Sequence, residues 1–280
     1  MISRFKKRLV GSRAFRAFIH ASVVALGVMG CVSARAQFLF VTNNNAITIT
    51  SYNGTGGMVE IPAATNGYPV TAIAGSAFIG RITVTNVFIP NSVVSIGSGA
   101  FLSCSRMTNI NIPDSVTNIA DSLFDSCDHL RTITLPTNMS SIPDDMFGGC
   151  SQLVLNIPST VTNIGDYAFS GCSSLTNVTL PNGLLHLGVG AFQGCQGLTN
   201  INIPNGVPSI NDQTFYDCPN LATIIIPSGV TNIGTHAFYL CYGLASATIP
   251  ASVGSFGSGA FDSCTNLTTL TVPGCPNVPE

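Results

Sequence analysis

Residues 158–180 read Pro-Ser-Thr-Val-Thr-Asn-Ile-Gly-Asp-Tyr-Ala-Phe-Ser-Gly-Cys-Ser-Ser-Leu-Thr-Asn-Val-Thr-Leu, and variants of that stretch follow one another about nine times. Its Phe returns as Phe78, Phe101, Phe124, Phe147, Phe169, Phe192, Phe215, Phe238 and Phe261. Its Pro returns as Pro90, Pro113, Pro136, Pro158, Pro181, Pro204, Pro227, Pro250 and Pro273. Every interval is 23 residues except one of 22. A period in this range makes each repeat one coil of a solenoid, because a single coil cannot bury its apolar side and must stack on its neighbours to do so. The 280 residues therefore make one elongated body with a leader in front.

Charge divides the chain at the same boundary. Seven of the ten Lys and Arg lie in the first 36 residues, leaving Arg81, Arg106 and Arg131 against all twelve Asp and Glu, a net charge of −9 for residues 37–280. Nucleic acid is excluded as a partner, since binding phosphates takes a cluster of Lys and Arg that the body lacks. An anionic membrane surface is disfavoured for the same reason.

Residues 1–36 have the three parts of a secretory signal peptide. Arg4, Lys6, Lys7, Arg8, Arg13 and Arg16 form a basic start, Ala21 to Val32 an apolar stretch, and Ala34-Arg35-Ala36 a small-residue cleavage site after Ala36. Two alternatives stand beside it. Val28-Met29-Gly30-Cys31 is a lipoprotein-type box that would make Cys31 the lipidated residue, and residues 17–34 carry no Lys, Arg, Asp or Glu. That uncharged run falls short of the roughly 20 apolar residues of a spanning helix, so the mature chain is expected to have no membrane span.

Residues 37–61 precede the regular register and are expected to form an N-terminal β cap. Phe38 to Thr42 and Ala46 to Tyr52 alternate as strands, with Asn43-Asn44-Asn45 and Asn53-Gly54-Thr55-Gly56-Gly57 as turns. The solenoid runs over residues 62–273 and a tail over 274–280. Its first repeat, from Pro62, is five residues longer than the rest and has Arg81 where later repeats have Cys.

Counting the Pro as position 1, positions 4, 7, 11, 12, 15, 18, 21 and 23 are mostly apolar, as in Val161, Ile164, Ala168, Phe169, Cys172, Leu175, Val178 and Leu180. The spacing of Leu175, Val178 and Leu180 is that of a leucine-rich strand with its alternating half inward. Val161 to Ile164 predicts a second short strand on the opposite wall. Position 9 is Ser98, Asp121, Asp144, Asp166, Asp212, Thr235 or Ser258, the residue types that cap a helix, so positions 9 to 14 are expected to form one short helical turn. Pro then stops the main strand. The fold expected is a mainly β repeat solenoid with a parallel sheet on one wall, short strands or helical turns on the other, and the nine Phe as a stacked core column.

The pattern Ile-Pro-x-x-Val-Thr-x-Ile-Gly-x-x-Ala-Phe-x-x-Cys-x-x-Leu-Thr-x-Ile-x resembles the BspA-like leucine-rich repeats of bacterial surface and secreted proteins, over about residues 58–273. The resemblance implies a right-handed leucine-rich solenoid, export, and a role in adhesion or protein binding. It implies no catalytic residue and fixes no partner. One departure is that the chain stops at Glu280 without an evident C-terminal cap or surface-anchoring segment.

Three residue sets invite a chemical reading. Cys104, Cys127, Cys150, Cys172, Cys195, Cys218, Cys241 and Cys264 all occupy position 15. Equivalent residues of stacked coils point the same way, so these are expected to be buried free thiols rather than bridges, with Cys275 the thiol left to be exposed or to pair with Cys264. A metal is not expected, since no close Cys pair exists. Asp121, Asp144 and Asp166 form an acidic edge with Asp145, Asp125 and Asp128 nearby, an arrangement calcium could use, but capping already explains position 9. His129, His186 and His236 fall on different positions of the coil, no Ser, His and Asp converge by register, and no phosphate loop or cofactor motif is present. A polysaccharide-cleaving β-solenoid stays the remote alternative.

Positions 20 and 22 face outward from the main sheet. Asn109, Asn111, Thr132, Thr134, Asn177, Thr179, Asn200 and Asn202 are the candidate binding face, an uncharged hydrogen-bonding surface on the side where solenoids bind. Asn and Thr also suit exposed strands without any ligand. The expected function is an exported, non-enzymatic protein-binding or adhesion module, with an extracellular protein or glycan as partner. A carbohydrate-binding module or a purely structural repeat segment is the alternative. After Val272, three prolines in eight residues cannot complete another coil, so end-to-end contact between copies, or a longer natural product, is also expected.

Overall fold

The computed structural model describes residues 37–271. The leader, with Cys31 and the cleavage point after Ala36, lies outside the described residues, as does the tail from residue 272 with Cys275. All the named elements within this range are strands.

The chain winds as a β-solenoid, because each alternating segment places its apolar half inward and its strand against the equivalent strand one repeat away. The main wall is built from Gly57–Glu60, Val84–Phe88, Asn109–Asn111 and Thr132–Thr134, then Asn177–Thr179 and Asn200–Asn202, then Thr223–Ile225, Ser246–Thr248 and Thr269–Thr271, all parallel. Register is one repeat, as in Asn86↔Asn109 and Asn109↔Thr132. The opposite wall carries two-residue strands such as Ser95–Ile96, Asn163–Ile164 and Asn232–Ile233. The chain opens with an antiparallel hairpin of Phe38–Asn43 and Ala46–Tyr52, whose Ala46–Tyr52 strand joins the opposite wall. The long first repeat spends its extra residues on a second hairpin, turned at Asn66 (φ 54°) and Gly67 (φ 82°) as a two-residue loop with both central φ angles positive.

Positions 9 to 14 do not form the expected helical turn. Positions 10 and 14 take positive φ, for example 51° at Asp145, 53° at Tyr167, 55° at Asp217 and 54° at His236, and a right-handed helix cannot pass through such residues. The segment is a run of tight turns in which alternate N–H groups go different ways. The Asp125 and Cys127 N–H groups donate three residues back to Ser122 (3.2 Å) and Phe124 (3.0 Å). Those of Ser122, Phe124 and Ser126 cross to the next coil, reaching the carbonyls of Asp144 (2.8 Å), Met146 (2.9 Å) and Gly148 (2.7 Å). The turn wall is thus stitched from coil to coil as firmly as a sheet. Position 9 joins in: one carboxylate oxygen of Asp144 accepts from the Asp166 N–H (2.8 Å), Asp166 from Val189 (2.7 Å) and Asp212 from Thr235 (2.6 Å). These carboxylates cap free N–H groups, but in the neighbouring coil and not at a helix start.

The core is a column. The nine Phe rings stack with centroids 4.9–5.9 Å apart, and Tyr52 extends the column at the N-terminal end, 5.0 Å from Phe78. Phe78 to Phe238 are fully buried. The eight position-15 cysteines stand beside the rings as buried free thiols.

Two prolines interrupt the opposite wall. At position 8 the N–H normally donates to the position-7 carbonyl of the preceding coil, as from Gly97 to Ile73 (2.9 Å), Ala120 to Ile96 (3.1 Å) and Gly165 to Ile142 (2.9 Å). Pro143 has no N–H to give. The wall strand Ser141–Ile142 accordingly does not pair with Asn118–Ile119. Pro208, at position 5, falls at the second break, between His186–Leu187 and Ser209–Ile210. The main wall is interrupted at the 22-residue repeat, where a single bridge, Thr132↔Val154, replaces a strand, and its ladder breaks again between Asn200–Asn202 and Thr223–Ile225.

Candidate binding face

In each main-wall strand the central residue turns inward and its two neighbours turn out. Ile110, Ile201 and Ile224 are buried while Asn109, Asn111, Asn200, Asn202, Thr223 and Ile225 are exposed, the pattern of a half-buried strand. All eight residues expected on this face are there and exposed. They form two groups, Asn109, Asn111, Thr132 and Thr134 on one run of strands and Asn177, Thr179, Asn200 and Asn202 on the next. At one end the Asn86 amide donates to the Asn109 side-chain oxygen at 2.7 Å, so the outward amides are partly organised as a cross-strand ladder.

Between the two groups the shortened repeat leaves a cleft of about 440 Å³. Leu155, Ile157 and Val178 are half-buried along it, and Asn177 and Thr179 stand on its edge. The missing residue prevents the segment after Leu153 from following the strand at Asn177–Thr179 along its length, so that strand has an unpaired side facing the cleft.

Four large apolar side chains share the outward face and were not among the expected site residues: Met58 (80% exposed), Phe88 (57%), Val154 (62%) and Ile225 (72%). Phe88 and Ile225 could be placed on this face by counting positions. Met58 could be placed by counting back from Ile61-Pro62, and Val154 follows once the missing residue is assigned ahead of it. Glu60 is the one charged side chain on these outward strand positions, so the face has almost no electrostatic character of its own.

The acidic edge and the thiols lie away from this face. Burial raises the Asp145 carboxyl above its usual range, and the charges of Asp125, Asp144, Asp121 and Asp166 push it the same way. Burial likewise raises every position-15 thiol, to about 11 for Cys104 and Cys264 near the two ends and further for those between. Such thiols are poor nucleophiles and poor metal ligands, since both roles need the thiolate. His129 is exposed, His186 sits on a short strand of the opposite wall, and His236 packs edge-on against Tyr239 at 5.0 Å, so the three do not meet. Among the described residues no group of three or more His, Cys, Asp and Glu is placed to hold a metal ion, and no helix is long and apolar enough to cross a membrane.

A family profile described as the BspA type leucine-rich repeat region, in six copies, matches residues 71–154 and 150–268. Among solved structures, a leucine-rich repeat protein from Bacteroides ovatus is 30% identical, with a TM-score of 0.69 over 84% of this chain and 74% of its own. The leucine-rich repeat protein of T. pallidum is 28% identical, with a TM-score of 0.50 over 83% of this chain and 88% of its own. No curated protein matches the chain.

Proposed function

The chain belongs to the BspA-type leucine-rich repeat proteins, and from that membership we propose that it is an exported, non-enzymatic binding module whose partner, an extracellular protein, docks on the outward face of the main wall. The observation that carries this reading is that Met58, Phe88, Val154 and Ile225, each more than half exposed, stand at intervals along the same face as the Asn and Thr ladder. Exposed apolar side chains on a binding face commonly serve as contact sites, and a few such anchors supply most of the binding energy in protein interfaces. The polar residues between them satisfy hydrogen bonds of the partner's backbone and rim. A glycan would make less use of the aliphatic anchors, so this face suits protein better.

Export rests on residues 1–36, whose basic start, apolar stretch and Ala34-Arg35-Ala36 ending are those of a cleaved leader. A cleaved leader supports a secreted protein, and a lipidated Cys31 would instead hold it at the cell surface, where adhesion would operate.

The test is binding of the exported chain to a panel of purified extracellular proteins by surface plasmon resonance. A partner of this face is expected to lose at least about 30-fold in affinity on the double change Phe88→Lys and Ile225→Lys, the equivalent of about 2 kcal/mol at a central contact. Binding that survives that change but is lost with substitutions on the turn wall would transfer the function to the other side. Mass analysis of the exported protein checks the leader: an N-terminus at Gln37 is expected, and a lipid-modified Cys31 would replace cleavage after Ala36 by anchoring.

A further inference from the structure

The two breaks in the opposite wall are not equivalent. At the second, the position-7 carbonyl of Leu187 receives no backbone N–H from Asn211, but the Asn211 side-chain amide reaches it at 2.7 Å and seals the gap. At the first, Pro143 offers neither an N–H nor a side-chain donor, and among the described residues nothing takes the place of the missing bond to Ile119. The Thr117 carbonyl is likewise passed over, although its equivalent at Val94 accepts from Thr117 at 3.0 Å. The Asp121 carboxylate also lacks the bond that Asp144, Asp166 and Asp212 each accept from the coil after them.

The break opens a cleft of about 380 Å³, within the range of roughly 300–1,000 Å³ in which small-molecule sites fall. Its floor is apolar, from Ile119, Met139 and Pro143, and its rim carries Asn118, Asn138 and Asp121. Ser141 also lines it, and its hydroxyl oxygen accepts from the Asn163 amide at 2.8 Å, which leaves the hydroxyl hydrogen free to donate. The acceptors here are two unused backbone carbonyls, the Asp121 carboxylate and the amide oxygens, and the donors include the Ser140 N–H, which likewise makes no backbone bond, and the Ser141 hydroxyl. No Lys or Arg lines the cleft, and Asp121 and Asp144 make it acidic.

We propose that the cleft at Pro143 is a binding site for a neutral saccharide unit, separate from the main-wall face. A pyranose brings several hydroxyls, each able to donate to these acceptors and to accept from these donors, and lays its C–H face on an apolar floor. Carboxylates exclude uronic acids, sialic acids and phosphates, which bring like charge to a site without a cation. The Ile119 carbonyl belongs to a half-buried residue and has no backbone donor, so a ligand hydroxyl can supply there what Asn211 supplies at the sealed break. The site does not depend on the sheet-face reading and stands or falls apart from it.

The experiment is titration of the full chain with maltotriose, cellotriose and N,N′-diacetylchitobiose, followed by ligand-observed NMR, with trigalacturonate and calcium chloride as comparison arms. Binding of at least one neutral oligosaccharide is expected, weakened about tenfold or more by Asp121→Asn and abolished by Pro143→Gly, which restores the N–H and lets the wall close. The Phe88→Lys and Ile225→Lys double variant is expected to bind the sugar unchanged. Both Asp121→Asn and Asn138→Ala lie at exposed positions, so a melt superimposable on that of the unmodified chain establishes that either variant is folded. Failure of all three neutral sugars to bind, binding indifferent to Asp121→Asn and Asn138→Ala, preference for trigalacturonate, or binding of calcium alone would each overturn the proposal.

Discussion

The Cys127 thiol donates to the Phe101 carbonyl one coil back at 3.2 Å, and that same carbonyl accepts the Cys104 N–H of its own coil at 3.1 Å. The thiol bond repeats from Cys104 to Cys264, so position 15 is filled by a side chain small enough for the core and able to give one weak hydrogen bond between coils. The cysteines are therefore structural, each tied to a Phe of the neighbouring coil.

Chemical labelling tests that role. A thiol reagent at neutral pH is expected to leave all eight position-15 cysteines unmodified in the folded protein and to label all eight after denaturation without reductant, read by mass. Alkaline pH should then destabilise the fold. In the unfolded chain a thiol ionises from about 9.0, while Cys104 and Cys264 hold their protons to about 11 in the folded one. The stability these groups contribute is complete below pH 9.0 and is lost as pH rises towards 11, because the unfolded state releases protons first. A melting temperature that stays level from pH 8 to 10.5 would contradict the burial.

The Phe column predicts a dependence on place. Phe169 is fully buried between rings at 5.5 and 5.2 Å, and Phe169→Ala should cost about 3–5 kcal/mol. Phe261 is half-buried and among the described residues its ring stacks on one side only, against Phe238 at 4.9 Å, so Phe261→Ala should cost clearly less. Urea melts of the two variants measure both; equal losses would show that the column is not continuous in its energetics.

Asp145 gives a prediction of opposite sign. Its carboxyl is raised by burial and by four neighbouring acids, so its charge works against the fold at pH 7. Asp145→Asn should raise the melting temperature there, and Asn suits the positive φ of 51° at this position. Because a raised carboxyl favours the fold while it is protonated, the gain should shrink as pH falls through the carboxylate range and vanish below it. A gain independent of pH would assign the effect to something other than charge.

Much of this was legible from spacing alone. A strand repeated every 23 residues must stack in register, which places Phe169 in a core column and Asn177 and Thr179 on the outward face. The turn wall was misread because Asp166 before Tyr167-Ala168-Phe169 looks like a helix cap. The contrary sign was the recurrence of Gly at positions 10 and 14, as in Gly149, Gly171, Gly190 and Gly194, all with positive φ. Tyr167, Gln213 and His236 take the same conformation without being glycine, held by bonds to the next coil, and that dependence on a neighbour is what local sequence does not display. The cleft at Pro143 was hidden for a similar reason: one proline matters there only because the N–H it lacks was owed to Ile119 a full coil earlier.

The central claim is that the outward main-wall face is the working surface, and hydrogen–deuterium exchange with and without a protein partner captured from the extracellular panel tests it most directly. The account predicts slowed exchange along Val84–Phe88, Asn109–Asn111, Thr132–Thr134, Asn177–Thr179 and Thr223–Ile225, with the turn wall at positions 9 to 15 unchanged. Protection confined to the turn wall, with the main-wall strands exchanging as in the free protein, would contradict it.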